Sequence, residues 1–334
     1  MLFCCASKIN AQQLDDIQPL GVVAFYNLEN LFDTQDDSLT RDEDFLPDGR
    51  YGWTDERYRQ KLGQMSKAIQ GMNGGPDILG VCEVENRKVL EDLVKQPALA
   101  ANRYQIVHFE SPDYRGIDVG LLYKPTSFIP FFTETIPFPK DPDDPRFKTR
   151  DILHVKGLFQ KMDTLHIFVN HWPSRRGGKE DKRIMAGKLL RQHADSILAI
   201  NPDAKMVMMG DFNDDPANKS IKEELKAVTK ERKAKDGNLF NTSASAFKQG
   251  YGTLGYRGVF NLFDQMIVSP GLLQKNSDTF YFIPKSYKIF SAASLQWPDG
   301  EDKGFPMRTF HRGVYHPEGF SDHYPVLIVL GQDR

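Results

Sequence analysis

The stretch Met206-Val207-Met208-Met209-Gly210-Asp211-Phe212-Asn213-Asp214-Asp215-Pro216 constrains this chain more than any other. Four large apolar residues run directly into glycine, carboxylates, an amide and proline. An apolar run bounded by turn residues is the pattern of a strand buried on both faces. Asp211 and Asn213 then project from the loop at its end, where open α/β sheets place ligands. An anionic acceptor and an amide two residues apart suit a hydrated hard cation and its phosphate substrate. Asp and Asn also build ordinary Asx turns, so the stretch alone decides nothing. Asp214 and Asp215 read as residues that solvate the turn.

Taken in order, the chain alternates strands with helices. Gly21–Tyr26 reads as a short strand, and Asp33 to Arg50 as an acidic surface loop. Across Asp55–Met72 the spacing of Tyr58, Leu62, Met65 and Ile69 predicts a helix, stopped by Gly71, Gly74, Gly75 and Pro76. Asp77–Cys82 follows as a buried strand and Asn86–Val94 as a helix. Tyr104–His108, Val119–Tyr123, Ser127–Ile136 and Asp151–Gln160 read as successive strands. Ile167–Val169 is a further buried strand, and Arg183–Ile200 has helical spacing. Ile221–Arg232 is expected to be helical, and Ala234–Gly258 to be loops around a strand or hairpin. Asn261–Val268, Phe280–Pro284 and Tyr324–Leu330 read as strands. Ser291–Pro317 is long, with Trp, Phe, Tyr, Pro and Gly but little periodicity; a loop of that length in a compact domain is functional or mobile. Several strands between helices argue for mixed, largely antiparallel sheets.

Four further polar punctuations follow apolar strands: Asn27-Leu28-Glu29-Asn30, Val81-Cys82-Glu83-Val84-Glu85, Val169-Asn170-His171-Trp172-Pro173 and Gly319-Phe320-Ser321-Asp322-His323-Tyr324-Pro325. Together with Gly-Asp-Phe-Asn, and in this order, they resemble the endonuclease/exonuclease/phosphatase family of metal-dependent phosphoesterases. Each motif alone is weak, but five in order are specific. The resemblance runs from about Val22 to Leu330. It implies an α/β fold of four layers, two packed mixed sheets flanked by helices, as one catalytic domain over residues 21–332.

The resemblance also implies roles. Glu83 and Asp322 match metal ligands, and Asn27 matches the asparagine that holds metal-bound water or phosphate. His323 matches the base for the attacking water, and Asp264 the aspartate that orients it. His171 corresponds to the histidine that assists the leaving group and binds the scissile phosphate. Asp211 aligns the nucleophile or leaving oxygen, and Asn213 bonds phosphate. Glu29 is particular to this chain and is placed behind the ligands; Glu85 is the less favoured ligand. The residues also speak for themselves: a carboxylate such as Glu83 or Asp264 against an apolar strand needs a charged partner, and imidazole exchanges protons near neutral pH. Arg175, Arg176 and Lys179 follow Trp172 in a glycine-bearing loop; guanidinium forks fit phosphate oxygens, and an indole stacks on a base or sugar. A solvated charged loop fits the same residues. Arg115 resembles a family segment beside the site and is expected to contact phosphate, with Tyr256-Arg257 as a further edge.

The expected cofactor is Mg2+, with Mn2+ or Ca2+ as substitutes. The expected substrate is a phosphodiester, nucleic acid first, with a phospholipid, sphingolipid or inositol phosphate as the alternative; no protein partner is inferred. A net charge of -2 excludes a globally basic coat but not a local basic patch. No apolar run is long enough to span a bilayer. Cys4, Cys5 and Cys82 show no zinc spacing, and Cys82 reads as a small core residue. Met1 to about Leu20 reads as a leader with a cleavage region near Ala11, the remnant of a secretory signal. Periplasmic or secreted location follows, with a cytoplasmic one as alternative.

Overall fold

The computed structural model describes residues 17–235, 237–275 and 278–334. The first sixteen residues of the expected leader, with Cys4, Cys5 and Ala11, lie outside them. Its end does not: Ile17–Leu31 (β1) is one continuous strand whose first residues pair with the last strand, Ile17 opposite Asp333 and Gln18 opposite Gln332. The folded part therefore starts before residue 21.

The first sheet contains β1, Ile78–Val84 (β2), Gln105–His108 (β3) and Asp118–Tyr123 (β4), with Tyr281–Phe282, Lys288–Ile289 and Val326–Asp333 completing it. The second contains Phe128–Ile136 (β5), Ile152–Phe159 (β6), Asp163–His171 (β7) and Lys205–Asp211 (β8), followed by Asp264–Val268, Leu239–Asn241 and Ala227–Val228. Both sheets are mixed: β1 runs parallel to β2 and β7 parallel to β8, while most other pairs are antiparallel.

Side-chain alternation explains the layering, because successive residues of a strand face opposite sides. In β1, Val23 and Phe25 face the other sheet, while Val22, Ala24 and Tyr26 meet helices Asp55–Gly71 (α1) and Arg87–Val94 (α2). In β8, Val207 and Met209 enter the central core, and Met206 and Met208 meet Ala186, Leu190 and Ala194 of Glu180–Ile200 (α3). The result is helices, sheet, sheet, helix. Thr54 caps α1 by accepting from Arg57 N, and Asn86 caps α2 by accepting from Val89 N.

One expected helix is absent. Ile221–Arg232 forms a single wide turn, Ser220–Glu224, then the short strand Ala227–Val228 and a 3-10 turn, Glu231–Lys233. Ile221 and Leu225 bury the turn, and Ala227–Val228 then pairs in parallel with Leu239–Phe240. The apolar face is too short to sustain a helix. The stretch Ser291–Pro317 is also less irregular than expected, since Phe310–His311 and Val314–Tyr315 form a small hairpin.

Candidate functional site

The C-terminal ends of β1, β2, β7 and β8 meet at one pole. Backbone chemistry fixes what they present there. Gly210 lies opposite Asn170 in the β7–β8 ladder, and a Cβ on it would sit 2.3 Å from the Asn170 carbonyl oxygen. Only glycine lets the strands close at this point, which sets His171 directly beside Asp211. Glu83 sits at a register shift between β2 and β4 with φ of 57°, and Asn213 has φ of 50°. Left-handed backbone at non-glycine residues costs on the order of 1–3 kcal/mol and is held only where the surroundings over-determine it.

Asp211 is the centre. Its Oδ1 accepts from Asn213 N at 2.9 Å and its Oδ2 from Asn27 Nδ2 at 3.1 Å. The same Oδ2 lies 3.7 Å from His171 Nε2 and 3.8 Å from His323 Nε2. Asp264, paired with Asp211 in the antiparallel ladder, accepts from His323 Nδ1 at 2.7 Å. That bond leaves His323 Nε2 facing Asp211 and, at 3.9 Å, Asp322 Oδ1. Glu83 Oε2 accepts from Asn30 N at 3.0 Å, and Oε1 lies 3.7 Å from His171 Nε2. Asp322 Oδ2 accepts from Arg308 at 2.8 Å.

The two imidazoles are driven apart. Burial alone would lower His323, but Asp264, Asp211 and Asp322 overcome it and hold the ring well above its usual value. Burial, reinforced by Arg150, Arg115 and His323, holds His171 well below that value. Burial also pushes Asp211 up to about 7, with Asp264 and Glu83 adding to the push against His323. Titratable groups displaced in opposite directions mark acid and base roles.

The donor set fits a hard divalent cation. Glu83, Asp211, Asp264 and Asp322 crowd one pole with no thiol ligand among them, and Asp264 Oδ1 and His171 Nδ1 are buried without partners. Asp211, Asp264 and His323 each bring a ligand atom within 4.8 Å of the others. Asp211 and Asp264 are sealed, whereas Glu83 and Asp322 keep side-chain exposures of 16% and 24%. The two expected ligands are thus the open ones.

Several expected roles need correction. Asn27 turns its amide nitrogen to Glu83 and Asp211, and its oxygen accepts from Glu29 N at 2.9 Å. Its nitrogen bridges the two carboxylates, and its oxygen already accepts one backbone bond. Asn213 Nδ2 donates one of its two hydrogens to the Trp172 carbonyl at 3.0 Å. Trp172 is 2% exposed, donates from Nε1 to Asn170 Oδ1 and meets Phe212 edge to face at 4.8 Å. It is a core residue, because Phe212 and Asn170 supply what an indole needs inside. Arg175 donates to the Asn213 carbonyl, Asp215 and Asn218 and lies over Phe263 at 4.5 Å, so it ties the turn together. Asp214 is buried, 2.9 Å from Arg183 of α3, and does not solvate the turn. Arg176 is exposed. Arg115 is half-exposed, 3.6 Å from Asp113. Tyr256 and Arg257 stack at 5.2 Å on an exposed hairpin whose Leu254 bridges to His323. Glu85 is buried, accepts from Asp33 N and is pushed up to about 8 by burial, away from the ligands.

The sequence reading missed Arg150. Its guanidinium donates to the carbonyls of His171 and Trp172 and, at 2.8 Å, to Asp113. Buried throughout, it holds the backbone that carries His171. An arginine flanking an apolar strand was the only available signal. For Trp172 the structure makes a direct prediction. Trp172→Ala should lower folding stability by about 3–5 kcal/mol, the scale for emptying a buried indole site, measured by denaturant unfolding. Weaker substrate binding at unchanged stability would contradict the placement.

Comparison with known proteins bears on fold and family. Residues 22–332 match the model of the Endonuclease/Exonuclease/phosphatase family. Among curated proteins none matches. A Bacteroides thetaiotaomicron protein of the endonuclease/exonuclease/phosphatase family is similar in structure at 17% identity, covering 95% of this chain and 100% of that one with a TM-score of 0.57. Truncated Caenorhabditis elegans TDP2 is similar at 16% identity, 94% and 98% coverage and TM-score 0.55. A Bacteroides thetaiotaomicron mannosyl-6-phosphatase is similar at 18% identity, 92% and 98% coverage and TM-score 0.55. These likenesses are of fold. With the family match over nearly the whole chain, the chain belongs to the endonuclease/exonuclease/phosphatase family of divalent-metal-dependent phosphoesterases.

Proposed function

We propose that the protein hydrolyses phosphodiesters by in-line attack of water, with a nucleic acid as the substrate class and Mg2+ as the cation. The observation that carries this reading is the 2.7 Å bond between His323 Nδ1 and Asp264, which leaves Nε2 directed into the carboxylate cluster. Asp264 holds the ring and stabilises the imidazolium, so Nε2 takes the proton of the attacking water. His171, kept neutral by burial and Arg150, stands opposite as a hydrogen-bond donor to the leaving side. Asn27 and Asn213 fix the orientation of Asp211 between the two rings. Glu83 and Asp322 would hold the divalent cation, which when bound would supply positive charge to neutralise the phosphate and polarise its oxygens.

A second reading is a phosphomonoester or small-phosphate substrate. It is favoured by the loss of Trp172 and Arg175 from the expected polynucleotide surface and by the similarity to a mannosyl-6-phosphatase. A panel of single-stranded DNA, RNA, sphingomyelin, inositol phosphates and a hexose phosphate, with Mg2+ or chelator, separates the readings. Cation-dependent cleavage of DNA or RNA is expected. Turnover confined to lipid, inositol or hexose phosphates would overturn the nucleic-acid assignment and leave the hydrolytic site standing.

A further inference from the structure

In the Ser291–Pro317 stretch Phe310 and Tyr315 pack against the helix-side core and Phe305 against Phe260, but Trp297, His311 and His316 belong neither to that core nor to the catalytic pole. The stretch is anchored at Thr309. Its backbone nitrogen donates to Glu29 Oε2 at 2.8 Å, and its hydroxyl accepts from Lys61 Nζ at 2.7 Å. Lys61 is buried and lies 3.5 Å from Glu29. A buried ion pair thus pins the stretch to the end of β1, two residues past Asn27. Two imidazoles follow that anchor, their ring centroids 6.3 Å apart. His316 N donates to the Thr309 carbonyl at 2.8 Å. His311 follows two residues after Thr309, within about 7 Å along the chain.

Trp297 touches both rings, with centroids 5.2 Å from His311 and 4.8 Å from His316. All three residues are half-buried. On the other side of the anchor, Arg308 donates to Asp322 Oδ2 at 2.8 Å. One short segment therefore joins a guanidinium at the catalytic pole to an aromatic patch beside it.

We propose that Trp297, flanked by His311 and His316, is the stacking platform for a nucleobase of the bound strand, with Arg308 facing its backbone phosphate. The proposal rests on the nucleic-acid reading above and supplies the aromatic surface that Trp172 does not. Every base has a π-face, so such a platform binds without sequence preference. A pyranose would instead need free carboxylates for its hydroxyls. Of the three in the stretch, Asp302 pairs with His311 at 3.1 Å and Glu301 with Arg312 at 2.8 Å, while Asp299 is exposed beside Trp297, so base and pyranose are distinguished by the hexose phosphate arm of the test.

The test compares a fluorescein-labelled phosphorothioate hexathymidylate with an abasic hexamer of the same backbone, by anisotropy in Mg2+. For the unaltered protein the base-bearing strand should bind roughly 5- to 150-fold more tightly, the scale of one stacked base. Trp297→Ala should bring that ratio towards one, and Trp297→Phe should restore most of it, which a misfolded variant could not. An unaltered ratio in Trp297→Ala overturns the proposal, as does a ratio of one in the unaltered protein. Trp297-dependent binding of a hexose phosphate with no base preference also overturns it, in favour of a sugar platform. Cleavage of the ordinary phosphodiester hexamer is scored separately. Cleavage without base preference refutes the platform alone, and base preference without cleavage refutes the hydrolase reading alone.

Discussion

His323→Ala should lower kcat by at least about 10²-fold with the fold intact, the scale of a positioned general base. The reason is geometric: His323 Nε2 is the one imidazole nitrogen that faces the carboxylate cluster while its other nitrogen is held by a carboxylate. Asp264→Asn should also reduce turnover by about 10²-fold or more, because the amide no longer fixes the ring or stabilises the imidazolium. The pH profile separates this from simple disruption. His323 must be neutral to accept a proton, so kcat/KM rises with pH through its titration. Asp264 is the strongest of the carboxylates that raise His323. Its neutralisation should therefore move the acid limb to lower pH even as the plateau falls. An acid limb that stays in place or moves to higher pH would show that Asp264 does not act through His323.

Glu83→Gln should weaken cation binding by about tenfold or more, since ligand charge tunes affinity for hard cations over decades. The substitution keeps the size of the side chain and one of its two accepting contacts, with Asn27 or with Asn30, while removing the negative charge. Titration calorimetry with Mn2+ at fixed ionic strength reads the effect directly. Thermal unfolding reads it independently, because a cation at a hundred times its Kd stabilises the folded state by about 2.7 kcal/mol. The unaltered protein should gain that shift, and Glu83→Gln should need more cation to reach it. Equal affinities would place the cation elsewhere in the pole, on the Asp211 and Asp264 oxygens.

Much of this architecture is legible in the sequence, for reasons that are local. The unbroken apolar runs Val22–Tyr26 and Met206–Met209 each specify a strand covered on both faces. The face formed by Tyr58, Leu62, Met65 and Ile69 specifies α1, and all four are buried. His323, Asp264, Asp211, His171 and Glu83 converge as the order of the motifs implies, because each lies at or within a few residues of a strand end. What the sequence hides is set by distant partners. Trp172 turns inward because Phe212 and Asn170 receive it. Asp214 is buried because α3 delivers Arg183 to it. The Asn27 amide is oriented by Glu83 and Asp211, which come from other strands. Arg150 earns its place only once β6 lies beside β7. None of these orientations has a periodic or spacing signal.

The central claim is that this pole hydrolyses phosphodiesters with His323 as base and a divalent cation on its carboxylates. Cleavage of a thymidine dinucleotide, followed with Mg2+, with excess chelator and with Mg2+ restored, tests it most directly when run beside His323→Ala. The account predicts turnover that stops on chelation, returns with the cation and is lost by about 10²-fold or more in His323→Ala. Undiminished cleavage in chelator, or near-normal cleavage by His323→Ala, would contradict it.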